Sequence, residues 1–325
     1  MSLTQMQVFN EYIMPATIET LSQMVQKFNA ASGGAIRLTT DGFTGDFLQE
    51  SFFASLDSAQ RRVDRYATNN TATVTDLSEI KRSSVKVAGG IGPVRYEPSQ
   101  MTWLQRPTAQ GIEVASRTFA TLMLKDQLNT AIAALVAAIS NQPSATNDVS
   151  ATAGLSYSAL NGAHAKFGDQ SGNIITEVMN GTAYHKLLEK NLNNAQQLFQ
   201  SGNVRIIDIL GKLVVVTDAP ALYAAGALLT PNKLKVLSLT DAAAIVSNGG
   251  DVISNIETTN GKDRIETTLQ VDYSFGIGLK GYTWDEANGG KSPTDLELAT
   301  GTNWDKTATS IKHTAGVITI VDAAQ

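Results

Sequence analysis

Cysteine is absent from the 325 residues. Disulfides, thiolate-ligated zinc, iron–sulfur clusters and a thiol nucleophile are therefore excluded. Charge is scarce too: Asp, Glu, Lys and Arg make up 17% of the chain, below the usual share of about 25%. The net charge is −5, and no basic tract is longer than Arg61-Arg62 or Lys81-Arg82. The electrostatic footprint of a nucleic-acid-binding domain is missing, although a protein that merely encloses nucleic acid needs none. No Lys or Arg precedes Lys27, so the start lacks the charged region of a signal peptide, and cytoplasmic synthesis is expected. The longest apolar run, residues 131–139, is far below the roughly 20 residues of a membrane span, so no membrane is expected as a partner.

Catalytic signatures are missing as well. His164, His185 and His313 are the only histidines, and none has a second histidine or a carboxylate at metal spacing on a clear helix face. No Gly-x-Ser-x-Gly occurs, which removes the serine nucleophile elbow. Gly276-Ile277-Gly278-Leu279-Lys280-Gly281 matches the dinucleotide fingerprint literally. That motif works only between a strand and a helix whose N-terminus receives the pyrophosphate. Here Gly289, Gly290 and Pro293 follow and forbid a long helix. Gly290-Lys291-Ser292 resembles the end of a phosphate loop, but Asp285 stands where its first glycine belongs. Asp285-Glu286 is a carboxylate pair, yet adjacent residues point apart. No cofactor or metal is expected, and the chain reads as a non-enzyme.

What is present is a long, uninterrupted helical pattern. Residues 112–140 hold neither Gly nor Pro, and Pro107 and Pro143 punctuate the flanks. Leu124, Leu128, Ile132, Leu135, Val136 and Ile139 recur at three and four, so they share one face. As a helix this stretch is about 40–45 Å long, over twice the common length. It predicts a spine rather than one layer of a compact enzyme. A chain of this length also exceeds the roughly 250–300 residues of a single core, so two or more lobes are expected.

Around the spine the patterns change. Residues 1–30 predict two short amphipathic helices kinked at Pro15 and ended by Ser32-Gly33-Gly34; they suit either an arm that packs on a neighbour or an ordinary first helix. Residues 43–66 predict helix over part of their length, with a solvated basic cluster at Arg61, Arg62 and Arg65. Val85 and Val87, then Val94 and Tyr96, flank a glycine-rich run at residues 89–93, the pattern of a hairpin with its tip there. Large apolar side chains are few in this region, so the hairpin needs an outside partner. A second copy of the chain is the expected one. On that reading, deleting residues 83–97 spoils assembly and spares the folded monomer. Residues 150–255 alternate helix and strand as a separate α/β lobe: a helix near 157–167, a strand at 174–178, a helix from 184 to 199, and buried strands at 204–210 and 213–217. Residues 265–279 place apolar or Thr side chains at every odd position over 15 residues, the period of a half-buried strand with one wet face. Trp284, Trp304 and a last apolar strand at 317–321 complete the tail.

In that order these parts resemble the tailed-bacteriophage major capsid protein, the Hong Kong-97-type capsid fold. Local words resemble the family too: Val178-Met179-Asn180-Gly181-Thr182-Ala183-Tyr184-His185, Asp208-Ile209-Leu210-Gly211-Lys212-Leu213-Val214-Val215-Val216-Thr217-Asp218, and Tyr273-Ser274-Phe275-Gly276 running to Gly281-Tyr282-Thr283-Trp284. The resemblance covers the chain from about residue 40 to the end. It implies an α+β fold: an N-terminal arm over 1–45, an extended loop over 46–106, the spine helix of a peripheral domain over 107–145, an axial domain over 146–258, and a return to the peripheral domain over 259–325. Lys81, Arg82, Val85, Lys86, Val87, Val94, Arg95 and Tyr96 become the inter-subunit face of the extended loop. The implied partners are copies of the chain, as hexamers and pentamers of an icosahedral shell in the virion. Portal, scaffolding and decoration proteins are implied too, with double-stranded DNA held by enclosure and synthesis in the bacterial cytoplasm. In some members a loop lysine forms an isopeptide bond; Lys81 and Lys86 lie in that region, but no asparagine or acidic helper can be matched. An encapsulin-type nanocompartment shell and a flagellin-like filament are the rival readings.

Overall fold

The computed structural model describes residues 3–42, 45–53, 61–66, 68, 74, 79–96, 108–190, 195–201, 204–209, 212–226, 230–260, 263 and 266–325. Helix α1 (Leu3–Ala31) opens the chain and holds Pro15 in its interior, so the two expected short helices are one. Ile13, Met14, Thr17, Val25 and Phe28 are buried on both sides of the proline. Burial of one continuous face outweighs the single donor that proline removes. Gly33 and Gly34 then turn the chain with positive φ. The Asn29 side chain binds both backbone groups of Leu38, at 2.6 and 3.0 Å, which starts strand β1 (Ile36–Gly42). Strand β2 (Phe47–Phe53) lies where helix was expected; residues 43–44 and 54–60 of that expectation fall outside the described residues. Strand β3 (Glu79–Tyr96) follows.

The spine is helix α2 (Thr108–Ser140), 33 residues and so about 50 Å long. Its predicted apolar stripe is buried from Leu124 to Ile139. Contrary to the expectation from apolar runs, α2 is long and apolar enough to cross a bilayer; 72% of that apolar window is buried within the fold, as in the core helix of a globular protein.

Beyond α2 come β4 (Thr146–Asp148), α3 (Tyr157–His164), β5 (Ile174–Met179), α4 (Gly181–Lys190) and β6 (Ala195–Ser201). The helix expected over 184–199 is therefore cut short. Residues 195–201 pair antiparallel with β7 (Val204–Ile209), and a sheet partner overrides local helical spacing. β7 and β8 (Lys212–Val216) lie where two strands were expected, and they pair antiparallel. The rest of the chain runs β9 (Tyr223–Ala224), β10 (Lys233–Thr240), β11 (Ala244–Asn248), β12 (Ile253–Thr259), β13 (Glu266–Leu279), β14 (Tyr282–Trp284), α5 (Asp295–Leu298), β15 (Trp304–Lys306) and β16 (Gly316–Asp322).

A six-stranded sheet has the order β1-β11-β13-β3-β2, with β12 also on β13. An eight-stranded sheet has the order β4-β16-β10-β5-β8-β7-β6, with β9 on β10. The last strand, β16, thus sits between β4 and β10, while β11 and β12 belong with β13. Sheet membership does not follow the expected breaks near residues 146 and 258. The α2 stripe joins one buried cluster with Phe275 and Ile277 of the smaller sheet and with Val178, Leu237 and Val317 of the larger. The expected separate lobe shares its inner core with the spine. Its outer face packs Met179, Val214, Val216 and Val321 on α3 and α4. Burial on both faces explains its unbroken apolar strands.

Candidate inter-subunit ribbon

β2 and β3 pair antiparallel from Phe47↔Val85 out to Phe53↔Glu79. β3 then runs on along β13, from Val85↔Ile277 to Tyr96↔Thr267. The expected hairpin is not there: residues 79–96 are one strand, paired with β2 over its first part and with β13 over the rest, and the glycine-rich run is not a tip. β3 passes straight through residues 89–93. Between Val271↔Ile91 and Leu269↔Val94 the register shifts, so Gly92 and Pro93 stand opposite Gln270 as a bulge. Gly92 has φ +106, and a Cβ there would come within 2.7 Å of the Leu269 carbonyl oxygen. Proline fits because a bulge asks for no ladder donor. The local glycine signal was real, and its meaning depended on β13.

The expected contact residues divide into two sets. Val85 and Val87 are 0% and 4% exposed and belong to the main core, which corrects the expectation of a coreless hairpin. The cations all have partners in their own chain. Lys81 Nζ lies 2.9 Å from Glu286 Oε1, Arg95 Nη1 lies 3.1 Å from Glu266 Oε1, and Lys86 pairs with Asp251. Arg82 is engaged as well. Val94 is about half exposed. Tyr96 pairs with Thr267 through the backbone. No sequence signal announces Glu286 or Asp251, because each lies far along the chain from its lysine.

Glu286 clasps the base of the ribbon. Its Oε1 accepts from Lys81 Nζ at 2.9 Å, Ser83 Oγ at 2.8 Å and Gln49 Nε2 at 3.0 Å, so one carboxylate ties both ribbon strands to the loop after β14. Lys81 first, then Ser83, hold this carboxyl below its ordinary value of 4.5. A depressed carboxyl contributes stability that is complete above the ordinary value and lost as pH falls through the depressed one. Glu286→Ala at neutral pH should therefore mimic acid. Limited proteolysis within the ribbon is expected to accelerate about fivefold, equivalent to roughly 1 kcal/mol, with global unfolding little changed. Unaltered ribbon cleavage would show that the clasp is not what holds the ribbon.

The other polar clusters act as internal ties. His164 Nε2 lies 2.6 Å from Glu177 Oε1, and Ser238 Oγ donates to Glu177 Oε2 at 2.7 Å. They join α3 to β5 and β10. The Tyr273 hydroxyl donates to Asp126 Oδ2 at 2.6 Å, joining β13 to α2. Burial raises the Asp126 carboxyl, the Tyr273 bond opposes that rise, and Asp295 adds to it. His185 is exposed and stands edge-on to Tyr184. Asp285 accepts from the backbone amides of Ala287 and Asn288 at 2.9 and 3.2 Å, while Glu286 reaches the ribbon, so the adjacent carboxylates diverge. Gly276 to Leu279 lie within β13, and β14 follows rather than a helix. A Cβ on Gly278 would lie 2.4 Å from Ser84 Oγ, so that glycine serves sheet packing. Among the described residues, no three His, Cys, Asp or Glu side chains group to hold a metal.

No curated protein matches the sequence. The fold is similar to that of a chain in the cyanophage Pam1 capsid asymmetric unit, at 11% identity and TM-score 0.54 over 92% of each chain. It is also similar to a chain from Mycobacterium phage Cain, at 11% identity and TM-score 0.51 over 88% of each. At that identity the likeness is one of fold, and it is the α+β capsid fold the sequence resembled. Residues 5–318 match the family model described as Gp13-like, "Major capsid protein 13-like", and the chain belongs to this major capsid protein family.

Proposed function

We propose that copies of this chain assemble as hexamers and pentamers into an icosahedral shell that encloses the double-stranded DNA of a tailed phage. The observation that carries the reading is the family match over residues 5–318. The weak net charge of −5 suits enclosure without a specific grip on DNA. The ribbon of β2 and β3 is the segment that lies over a neighbouring copy. Lys81, Arg82, Lys86, Val94, Arg95 and Tyr96 flank that contact, and Val85 and Val87 anchor it from beneath. The larger sheet corresponds to the axial domain, and α2 with the smaller sheet to the peripheral domain. The subunit is made in the bacterial cytoplasm and performs no catalysis. Portal, scaffolding and decoration proteins are its further partners.

Electron microscopy of the purified protein, beside a sizing column, tests this. Closed icosahedral shells, or rings of five and six, are expected. Helical filaments would overturn the proposal in favour of a flagellin-like assembly. Shells that purify with a protein cargo from cells and never with DNA would point to a nanocompartment.

A further inference from the structure

Two unexplained features of this chain complement each other. One is the stretch Arg61-Arg62-Val63-Asp64-Arg65-Tyr66, in the connection beyond the Phe53↔Glu79 end of the ribbon. Every residue in it is exposed; Val63 is 66% and Tyr66 91% accessible. Arg65 stands 5.9 Å from the centre of the Tyr66 ring. None of the three arginines forms an ion pair with a described residue, unlike Lys81, Lys86 and Arg95 further down the same ribbon. A basic, partly apolar segment held in water at the end of a ribbon is an unsatisfied surface.

The other feature is a groove of about 440 Å³ beside α2. Ala133, Pro220, Ala221 and Leu298 form its apolar lining, and Asp126 and Asp295 supply two carboxylates. Asp126 uses Oδ2 for the Tyr273 hydroxyl, and Asp295 is exposed and has no ion-pair partner among the described residues. Burial first, and then the nearby Asp295, raise the Asp126 carboxyl against the Tyr273 bond, and the described lining holds two carboxylates and no Lys, Arg or His. Leu296, beside it on α5, is 79% exposed.

We infer that the groove lined by Asp126, Asp295 and Leu298 receives the Arg61–Tyr66 segment of a second copy of this chain. The match is one of charge and of apolar character. A guanidinium presents a planar fork of donors to a carboxylate, and Val63 and Tyr66 offer apolar surface to the alanine, proline and leucine lining. Opposite charge chooses this partner and sets its register, while apolar burial supplies affinity. The inference rests on the shell reading, and it names which residues of one subunit grip the next.

A charge swap tests it in the full-length protein. Arg61→Glu with Arg62→Glu should cut the yield of assembled particles about tenfold, and so should Asp295→Arg alone; combining all three should restore the yield to within about threefold of the unsubstituted chain. Asp295 and both arginines are exposed, so thermal midpoints should stay put and separate assembly from folding. A second measurement uses the absence of native cysteine. Val63→Cys with Leu296→Cys, treated with a short bis-maleimide, should give covalent dimers and higher multimers on a denaturing gel. A cross-linked monomer of altered mobility would overturn the inference by placing the segment on its own chain. Shells of normal yield in both charge variants would also overturn it, as would normal shells that package less DNA, which would assign the arginines to nucleic acid. Inter-copy cross-links without closed shells would support the contact and overturn the shell reading; closed shells without cross-links or rescue would do the reverse.

Discussion

Deletion of residues 83–97 should leave no folded chain. Val85 and Val87 are core side chains, each worth about 1.5–3 kcal/mol of burial. The deletion also strips β13 of its neighbour from Ile277 to Thr267, exposing Phe275, Ile277 and a row of backbone donors and acceptors. Those losses together reach the whole margin of about 5–15 kcal/mol that holds a domain folded. Insoluble expression, or a soluble product without a cooperative thermal transition by circular dichroism, is the expected result. A cooperatively folded monomer that only fails to assemble would show that β3 is a dispensable loop. This outcome reverses the expectation drawn from the sequence, and the difference rests on where the two valines point.

Trp304→Ala should cost about 3–5 kcal/mol, the usual range for deleting a fully buried large aromatic. Trp304 is 0% exposed. Its ring packs edge-to-face with that of Trp284, the ring centres 4.9 Å and the planes 68° apart, and its Nε1 donates to the Leu298 carbonyl at 3.0 Å. Trp284 Nε1 donates in turn to the Gly290 carbonyl at 3.0 Å. The two indoles therefore pin α5 and the glycine loop to the body around α2. Glu297 closes a capping box with Thr294 at the start of α5, a local device that cannot replace those ties. A drop of about 5–10 °C in the thermal midpoint is expected. Trp304→Phe keeps part of the packing and loses the indole donor, so its loss should be clearly smaller. An unchanged midpoint in the alanine variant would mean that α5 and its loop melt independently of the core. Because Asp295 and Leu298 belong to α5, the same variant should disturb the groove on α2.

Some of this architecture was legible locally. The spine announced itself because its punctuation and its three-and-four spacing are properties of one segment, and α2 runs over nearly the stretch they define. β13 was legible for the same reason: Leu269, Val271, Tyr273, Phe275, Ile277 and Leu279 are buried at every second place. Its wet face was only half legible. Gln270 and Asp272 are exposed, but Ser274, Gly276 and Gly278 are covered as well, and nothing in a period of two says what lies above a sheet. The strands β7 and β8 needed only two apolar runs; their pairing came from the structure.

The misreadings share a cause. Pro15, the glycine run in β3 and the helical spacing beyond residue 190 each carry a correct local preference, from about 1 kcal/mol for glycine inside an element to about 3 kcal/mol for proline inside a helix. A partner distant in the chain overrides it: α2 beneath α1, β13 beside β3, β7 beside β6; the phenylalanines of β2 suit a strand, and β3 supplies the partner. The candidate assembly residues were blurred for the same reason. Lys81 finds Glu286 across 205 positions and Lys86 finds Asp251 across 165, so cations that read as free for a neighbour are already held. The sequence by itself determined the spine, the long alternating strand, the absence of catalytic chemistry signatures and the order of parts that marks the family. Only the tertiary structure decided which strands pair, which charges find no ion-pair partner among the described residues, and that α2 and α5 line a groove with two carboxylates, because pairing and enclosure depend on contacts between segments that local propensity cannot encode.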